Sequence, residues 1–392
     1  MFTATAERPL AATITGSLPR PGWFKQNLAG RTFSTAFAGD AEYREQYSDA
    51  IAALISDQER AGLDILTDGE MRFDTDIGGR SWFGYLFDRL DGLQAMPGTE
   101  GWAKLSRSGS PGRADTPGDI MNEFAQTKLP PVISGPVHSD RLQYDVIWKI
   151  AQRLTDRPIK MGSCSAQMLD KHMGNSFYKD RSESVMALSA ALNEEYHRLA
   201  DAGCAVIQIE EPCLHNIGAA SEIPLEVYVE AFNREVRGLR TKTELWCHTC
   251  WGNPFAQRIG ADSSYRPILD YLDRLDVDVI TVESTENQGS ELAEIVAALS
   301  ENKKLCVGVI NHRSLQVETP EGVAALIRKA LQHIAPERLL LSSDCGFGRQ
   351  GITRTHAYYK MVAMVRGANI VRRELGLAEV NMPATDKRFA LP

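Results

Sequence analysis

The chain has 392 residues, a net charge of −8, 43% hydrophobic and 24% charged residues. That composition is globular, and the length suits two average domains or one large α/β barrel. Lys and Arg form no basic stripe and no run of about 18 apolar residues occurs, so neither a nucleic-acid partner nor a membrane span is expected. The N-terminus lacks a basic start followed by an apolar stretch. Seven cysteines are an odd, sparse count, which points to free thiols and metal ligands in a reducing cytoplasm.

In chain order, short β-branched runs alternate with longer amphipathic stretches. Strands are expected at 12–15, 65–67, 159–161, 206–209, 244–247, 279–282, 305–309 and 339–341. Helices are expected between them, for example at 49–61, 182–202, 267–275 and 320–334. Eight strands alternating with helices predict a parallel sheet whose strand number fits a single (β/α)8 barrel over 1–392, although an open doubly wound sheet gives the same alternation. Two stretches interrupt the pattern. The segment 80–92, RSWFGYLFDRLDG, holds four aromatic residues and reads as a buried helix or hairpin, or as a roof over substrate. The segment 94–131 is rich in Gly, Pro and Ser and reads as an insertion or lid.

The chemistry-bearing residues fall at strand ends, where barrels of this kind build their sites. Residues i and i+2 of a strand point to the same side. In ELWCHTCWGN at 244–253, His248 and Cys250 therefore face one point, while Cys247 and Thr249 face away. The run VITVE at 279–283 ends in Glu283, and LLLSSDCG at 339–346 carries Cys345 before a glycine. One imidazole, two thiolates and a carboxylate form a donor set that zinc accepts. The carboxylate is harder and weaker than a thiolate, so it can yield to an incoming sulfur. A cation stabilises a thiolate over the neutral thiol, and the thiolate is the nucleophile an alkyl donor needs. Singly, each residue also has an ordinary role, Cys345 as a small core residue and Glu283 as the ion-pair partner of a nearby Arg or Lys. Cys164, Cys204, Cys213, Cys247 and Cys306 are read as structural.

With these residues in place, the chain resembles the zinc-binding catalytic domain of cobalamin-independent methionine synthase. The resemblance is carried by His-x-Cys at 248–250, the ITVE strand at 280–283 and the DCG turn at 344–346. It is supported by ITGSLP at 14–19, TDGE at 67–70, IQIEEP at 207–212 and VGVI at 307–310. It implies a (β/α)8 fold, a Zn2+ cofactor held by His248, Cys250, Glu283 and Cys345, and a homocysteine substrate. The amino-acid end of that substrate would be held by Ser17 with its neighbouring backbone, by Glu70 and by Glu210. An ammonium favours carboxylates, and a carboxylate favours backbone N–H groups at a turn. Glu70 and Glu210 could equally form rim salt bridges.

Three departures from the family pattern bear on function. The long synthases carry a second, N-terminal barrel used in binding a polyglutamylated folate, and this chain has none, so the methyl donor is either a methylated folate or a methylated corrinoid on a partner protein. Glu210 stands where the long synthases have Asp. Arg313 stands where they place a catalytic His, with His312 one residue earlier as the candidate general acid. Arg313 could instead bind an anionic donor. The implied reaction is methyl transfer to homocysteine. The alternative is alkylation of another small thiol or an epoxyalkane:coenzyme M transferase, for which Arg72 and Arg313 leave room for a sulfonate, against the ammonium preference of Glu70 and Glu210. Two thiolates argue against a zinc hydrolase, and metal dependence would argue against the metal-free decarboxylases of the same barrel superfamily.

Overall fold

The computed structural model describes residues 4–74, 79–95, 131–212, 214, 223–253, 264–348, 352–389 and 391. In chain order its strands are β1 (Leu66–Thr67), β2 (Asp91–Ala95), β3 (Pro131–His138), β4 (Ile159–Cys164), β5 (Gly174–Asn175), β6 (Val206–Glu210), β7 (Glu244–Thr249), β8 (Val279–Val282), β9 (Lys304–Ile310) and β10 (Leu339–Ser343). Seven of them form one parallel sheet in the order β1-β4-β6-β7-β8-β9-β10. Segment 10–15 closes this sheet into a barrel as an eighth stave. On one side Ala12 bridges Leu341 in parallel, with Leu10 N donating to Leu339 O and Thr13 N to Leu341 O. On the other, the amides of Asp64 and Ile65 donate to Ala12 O. The fold is thus the expected (β/α)8 type.

The differences from expectation are local. The first stave forms only one bridge, so it lacks the regular ladder expected over 12–15. The expected helix 267–275 is a 3-10 turn, Arg266–Ile268, followed by a single α-turn, Leu269–Leu272. The expected insertion begins inside a second, three-stranded sheet, β2-β3-β5, in which Gln94 pairs antiparallel with Val132. Most of that insertion, with its lid reading, lies outside the described residues. The aromatic segment contributes the helix Gly79–Phe87, in which Tyr85 and Leu86 are buried. Among the described residues, no helix is long and apolar enough to cross a membrane.

The helices start where side-chain acceptors meet free amides. Asp40, Asp180, Thr319 and Thr353 cap the helices Ala41–Ala61, Arg181–Asp201, Pro320–Leu331 and Arg354–Glu374, each satisfying a backbone N–H that the helix itself leaves unpaired. Their apolar faces pack on the outward residues of the strands, such as Ile207, Ile209, Leu245, Ile280 and Leu341. The inward residues form a separate cluster of Ala11, Ile65, Val206, Trp246, Val279, Cys306 and Leu340, which plugs the lower barrel. Below it, the Glu244 carboxylate accepts from the amides of Ala4 and Thr5 and from Trp246 Nε1. Strand alternation then sends the next inward residues, two and four positions further on, toward the upper mouth.

Candidate metal and thiol site

The upper mouth collects the residues that the strand ends predict. His248, near the end of β7, Cys250, just beyond it, and Cys345, after β10, each offer a ligand atom, and these atoms lie within 4.8 Å of one another. His248 and Cys250 are fully buried, while Cys345 is half-buried. The spacing of two residues on β7 brings the first pair together. Close approach of two turns brings in the third. A Cβ on Gly346 would meet Ser17 N at 2.6 Å, so only glycine lets the Cys345 turn lie against the Ser17 turn. Ser17 O then accepts from the amides of Phe347 and Gly348. Leu18 N donates to Gly69 O at 3.1 Å, which ties the same turn to the tip of β1.

Glu283 lies in a second, adjoining group with His312 and Asp344, whose ligand atoms are also within 4.8 Å of one another. Its carboxylate accepts from both terminal nitrogens of Arg313 and from Trp251 N. Arg313 also donates to Gly252 O at 2.6 Å and pairs with Glu286 at 3.3 Å. Burial raises the Glu283 carboxyl above its ordinary range, and Arg313 opposes it. The ion-pair role that the sequence left open for Glu283 is therefore realised. Asp344, raised by burial and by Glu283, accepts from the amides of Ser284 and Thr285 and from the Thr285 hydroxyl. A Cβ on Gly308 would stand 2.1 Å from Asp344 Oδ1, so β9 needs glycine there. His312 is fully buried beside these two acids.

The structure places the substrate candidates unevenly. Glu70 follows β1 with φ +58°, a left-handed conformation that a non-glycine residue adopts at a cost, and its side chain is 12% exposed. Its turn is held by Asp68 Oδ1, which accepts Glu70 N at 3.0 Å. Glu210, in register with His248 on the neighbouring strand, is occupied within the protein. One oxygen accepts from Gln208 Nε2 and the other meets His248 Nδ1. Burial opposes both charges, yet the pair prevails, lifting His248 to about 9 and holding Glu210 below its usual range. Arg72, considered for a sulfonate, is 1% exposed and committed to Asp68 at 3.1 Å and to Gly162 O at 2.9 Å. The rings of Phe73 and Tyr144 lie within about 5 Å of its guanidinium. Arg72 is a structural clamp.

Gln208, Lys160 and Asp344 were not anticipated. The signal for Gln208 and Lys160 in the sequence is an inward polar residue inside an otherwise apolar strand, whereas Asp344 follows β10 in the DCG turn. Cys164, Cys204, Cys247 and Cys306 are buried thiols, and burial raises the last three above the ordinary range. Cys213 lies outside the described residues.

A closed parallel barrel whose mouth gathers an imidazole and two thiols defines a barrel enzyme with a candidate metal centre. The chain belongs to the family described as cobalamin-independent synthase, catalytic domain, whose model matches residues 10–88 and 112–369. It is 29% identical over 367 residues to a methionine synthase of Saccharolobus islandicus, covering 93% of this chain and 96% of that one. To the methionine synthase of Sulfurisphaera tokodaii it is 26% identical over 366 residues, with 93% and 94% covered. Among solved structures, a B12-independent methionine synthase from a Shewanella species, in complex with selenomethionine, superposes with a TM-score of 0.68 at 23% identity, covering 94% of this chain and 99% of that one. A methyltransferase from Methanosarcina mazei gives 0.52 at 14% identity, with 94% and 95% covered.

Proposed function

We propose that this chain is a zinc-dependent methyltransferase that makes methionine from homocysteine. The observation that carries the reading is the meeting of His248, Cys250 and Cys345 within 4.8 Å, beside a Gly-Ser turn and an acidic strand tip. One borderline and two soft donors suit zinc. Bound there, the ion supplies the positive charge that favours the thiolate form of the acceptor sulfur.

The remaining roles belong to the chain itself. Glu283 is the candidate fourth ligand, and Arg313 is placed to receive its carboxylate whenever sulfur takes that position. The turn at Ser17 offers backbone amides to the substrate carboxylate, and Glu70 offers its carboxylate to the ammonium. The hydrogen bonds of Glu210 favour a role in orienting His248 over one at the ammonium. His312, buried beside Glu283 and Asp344, is suited to holding a proton among these acids. In this reading the donor is a methylated folate or a methylcorrinoid, and the setting is a reducing cytoplasm. A sulfonate-bearing acceptor is disfavoured, because Arg72 and Arg313 are both committed to carboxylates.

The test is to mix zinc-loaded protein with homocysteine, cysteine and coenzyme M, following proton release and zinc–sulfur coordination by X-ray absorption. Homocysteine is expected to release a proton and add a sulfur ligand. A response to coenzyme M with silence from homocysteine would reverse the choice of substrate.

A further inference from the structure

A line of hydrogen bonds crosses the barrel interior from β4 to the candidate metal centre. Lys160 is 3% exposed and Gln208 is 3% exposed. Lys160 Nζ donates to Gln208 Oε1 at 2.6 Å and lies 4.7 Å from the centre of the Trp246 ring. Gln208 Nε2 donates to Glu210 Oε1, and Glu210 Oε2 meets His248 Nδ1. The polarity of this line follows from what each group can do. An ammonium only donates, so the glutamine must present its oxygen to Lys160 and its amide nitrogen to Glu210. An ionised carboxylate only accepts, so the nitrogen of His248 facing it must carry a proton. The other nitrogen, Nε2, lies 3.1 Å from the carbonyl oxygen of Asp344, which can only accept, so Nε2 also carries a proton in this structure. With the Nδ1 proton held by Glu210, Nε2 is the nitrogen whose proton a metal ion would replace. In metal sites generally, the group behind a ligating imidazole fixes its tautomer and orientation.

We propose that Lys160 is a positioning residue which, through Gln208 and Glu210, sets the tautomer of His248 so that Nε2 faces the metal. The inference rests on the reading of His248 as a ligand and goes further, since it assigns work to a lysine at the opposite end of the barrel's polar interior. Gly162 makes the line possible. It is the register partner of Gln208, and a Cβ at that position would come within 1.7 Å of Gln208 O.

The test begins with the unmodified, zinc-loaded protein. 15N NMR of its histidine side chains is expected to show His248 protonated at Nδ1 and metal-bound at Nε2, and the opposite assignment overturns the proposal. Lys160→Met is expected to weaken zinc binding about 10- to 100-fold in chelator competition and to broaden or shift the His248 ring signals. Lys160→Arg, which keeps a donor at the same place, restores both. A Lys160→Met protein with wild-type melting, zinc affinity and ring signals overturns the proposal. Should that variant not fold, Gln208→Leu breaks the line at its centre while leaving Lys160 on the Trp246 ring, and the same readouts decide. Wild-type protein that binds no zinc defeats the functional reading itself. Zinc binding that ignores both substitutions defeats only the role of Lys160.

Discussion

At the lower end of the barrel, Ala11, Ile65, Val206, Trp246, Val279 and Leu340 meet in an apolar plug. Two to four residues further along the same strands, the inward positions are Gln208, Glu210, His248, Thr281, Glu283 and Ser342, all buried. One set of strands therefore serves two purposes, separated by a few ångströms of rise. The plug holds the staves together and excludes water. The mouth places charges and soft donors that would be costly to bury without partners, and each acid there has one. Stability and chemistry are thus divided along the strand axis, and substitutions at the two ends should have different signatures.

The sharpest contrast comes from the ligands. Cys345→Ser and His248→Ala are expected to lose stoichiometric zinc and to lower methyl transfer about a hundred- to a thousandfold, the scale at which a principal stabilising group of a reaction is lost, while the barrel still melts cooperatively. Activity after exhaustive chelation would break the comparison. Trp246→Ala at the plug should do the reverse. It is expected to cost about 3–5 kcal/mol of stability, read by denaturant unfolding, while the folded fraction keeps its zinc content. Glu70→Gln at the rim is expected to raise KM for homocysteine about 10- to 100-fold, the worth of one charged hydrogen bond, with a smaller change in kcat. A kcat-only effect would remove Glu70 from substrate binding.

The gentlest test lies outside the barrel wall, where Glu235 accepts Ala166 N. Burial lifts its carboxyl from an ordinary 4.5 to about 8, against the pull of that amide. The folded protein then keeps a proton that the unfolded chain releases near 4.5. This contribution to stability is whole below about pH 4.5 and is lost as pH rises toward 8, at about 1.4 kcal/mol per pH unit within that window. The wild-type melting temperature, minus that of Glu235→Gln, should fall from pH 5 to pH 8. A flat difference would show that Glu235 titrates normally.

The barrel was legible because strand and helix periods alternate, and Val279–Val282 matches its expected bounds. The meeting of His248 and Cys250 was legible because i and i+2 share a side on a strand, and Cys345 joined them as the tip of another strand. That rule ends with the strand. β9 stops at Ile310, so parity could not decide between His312 and Arg313, and both lie against Glu283. Arg72 was misread for a different reason, since a side chain's charge says nothing about its commitments. Asp68, four residues away, neutralises it. The pairing of Glu210 with His248 depends on register between strands about 40 residues apart in sequence, which local pattern does not encode. The β2-β3-β5 sheet was hidden because its hairpin surrounds a Gly- and Pro-rich excursion that masks strand alternation.

The glycine contact between the turns of Ser17 and Cys345 has one more implication. Backbone presses on backbone there, with no soft side chain between, so under the proposed reading the cradle for an amino acid's carboxylate and one jaw of the metal grip would form a caliper. Under the proposed reading, that caliper measures the length of the acceptor. A thiol one methylene shorter would anchor at one end and fall short at the other, and selectivity between homologous thiols would be written in main-chain geometry.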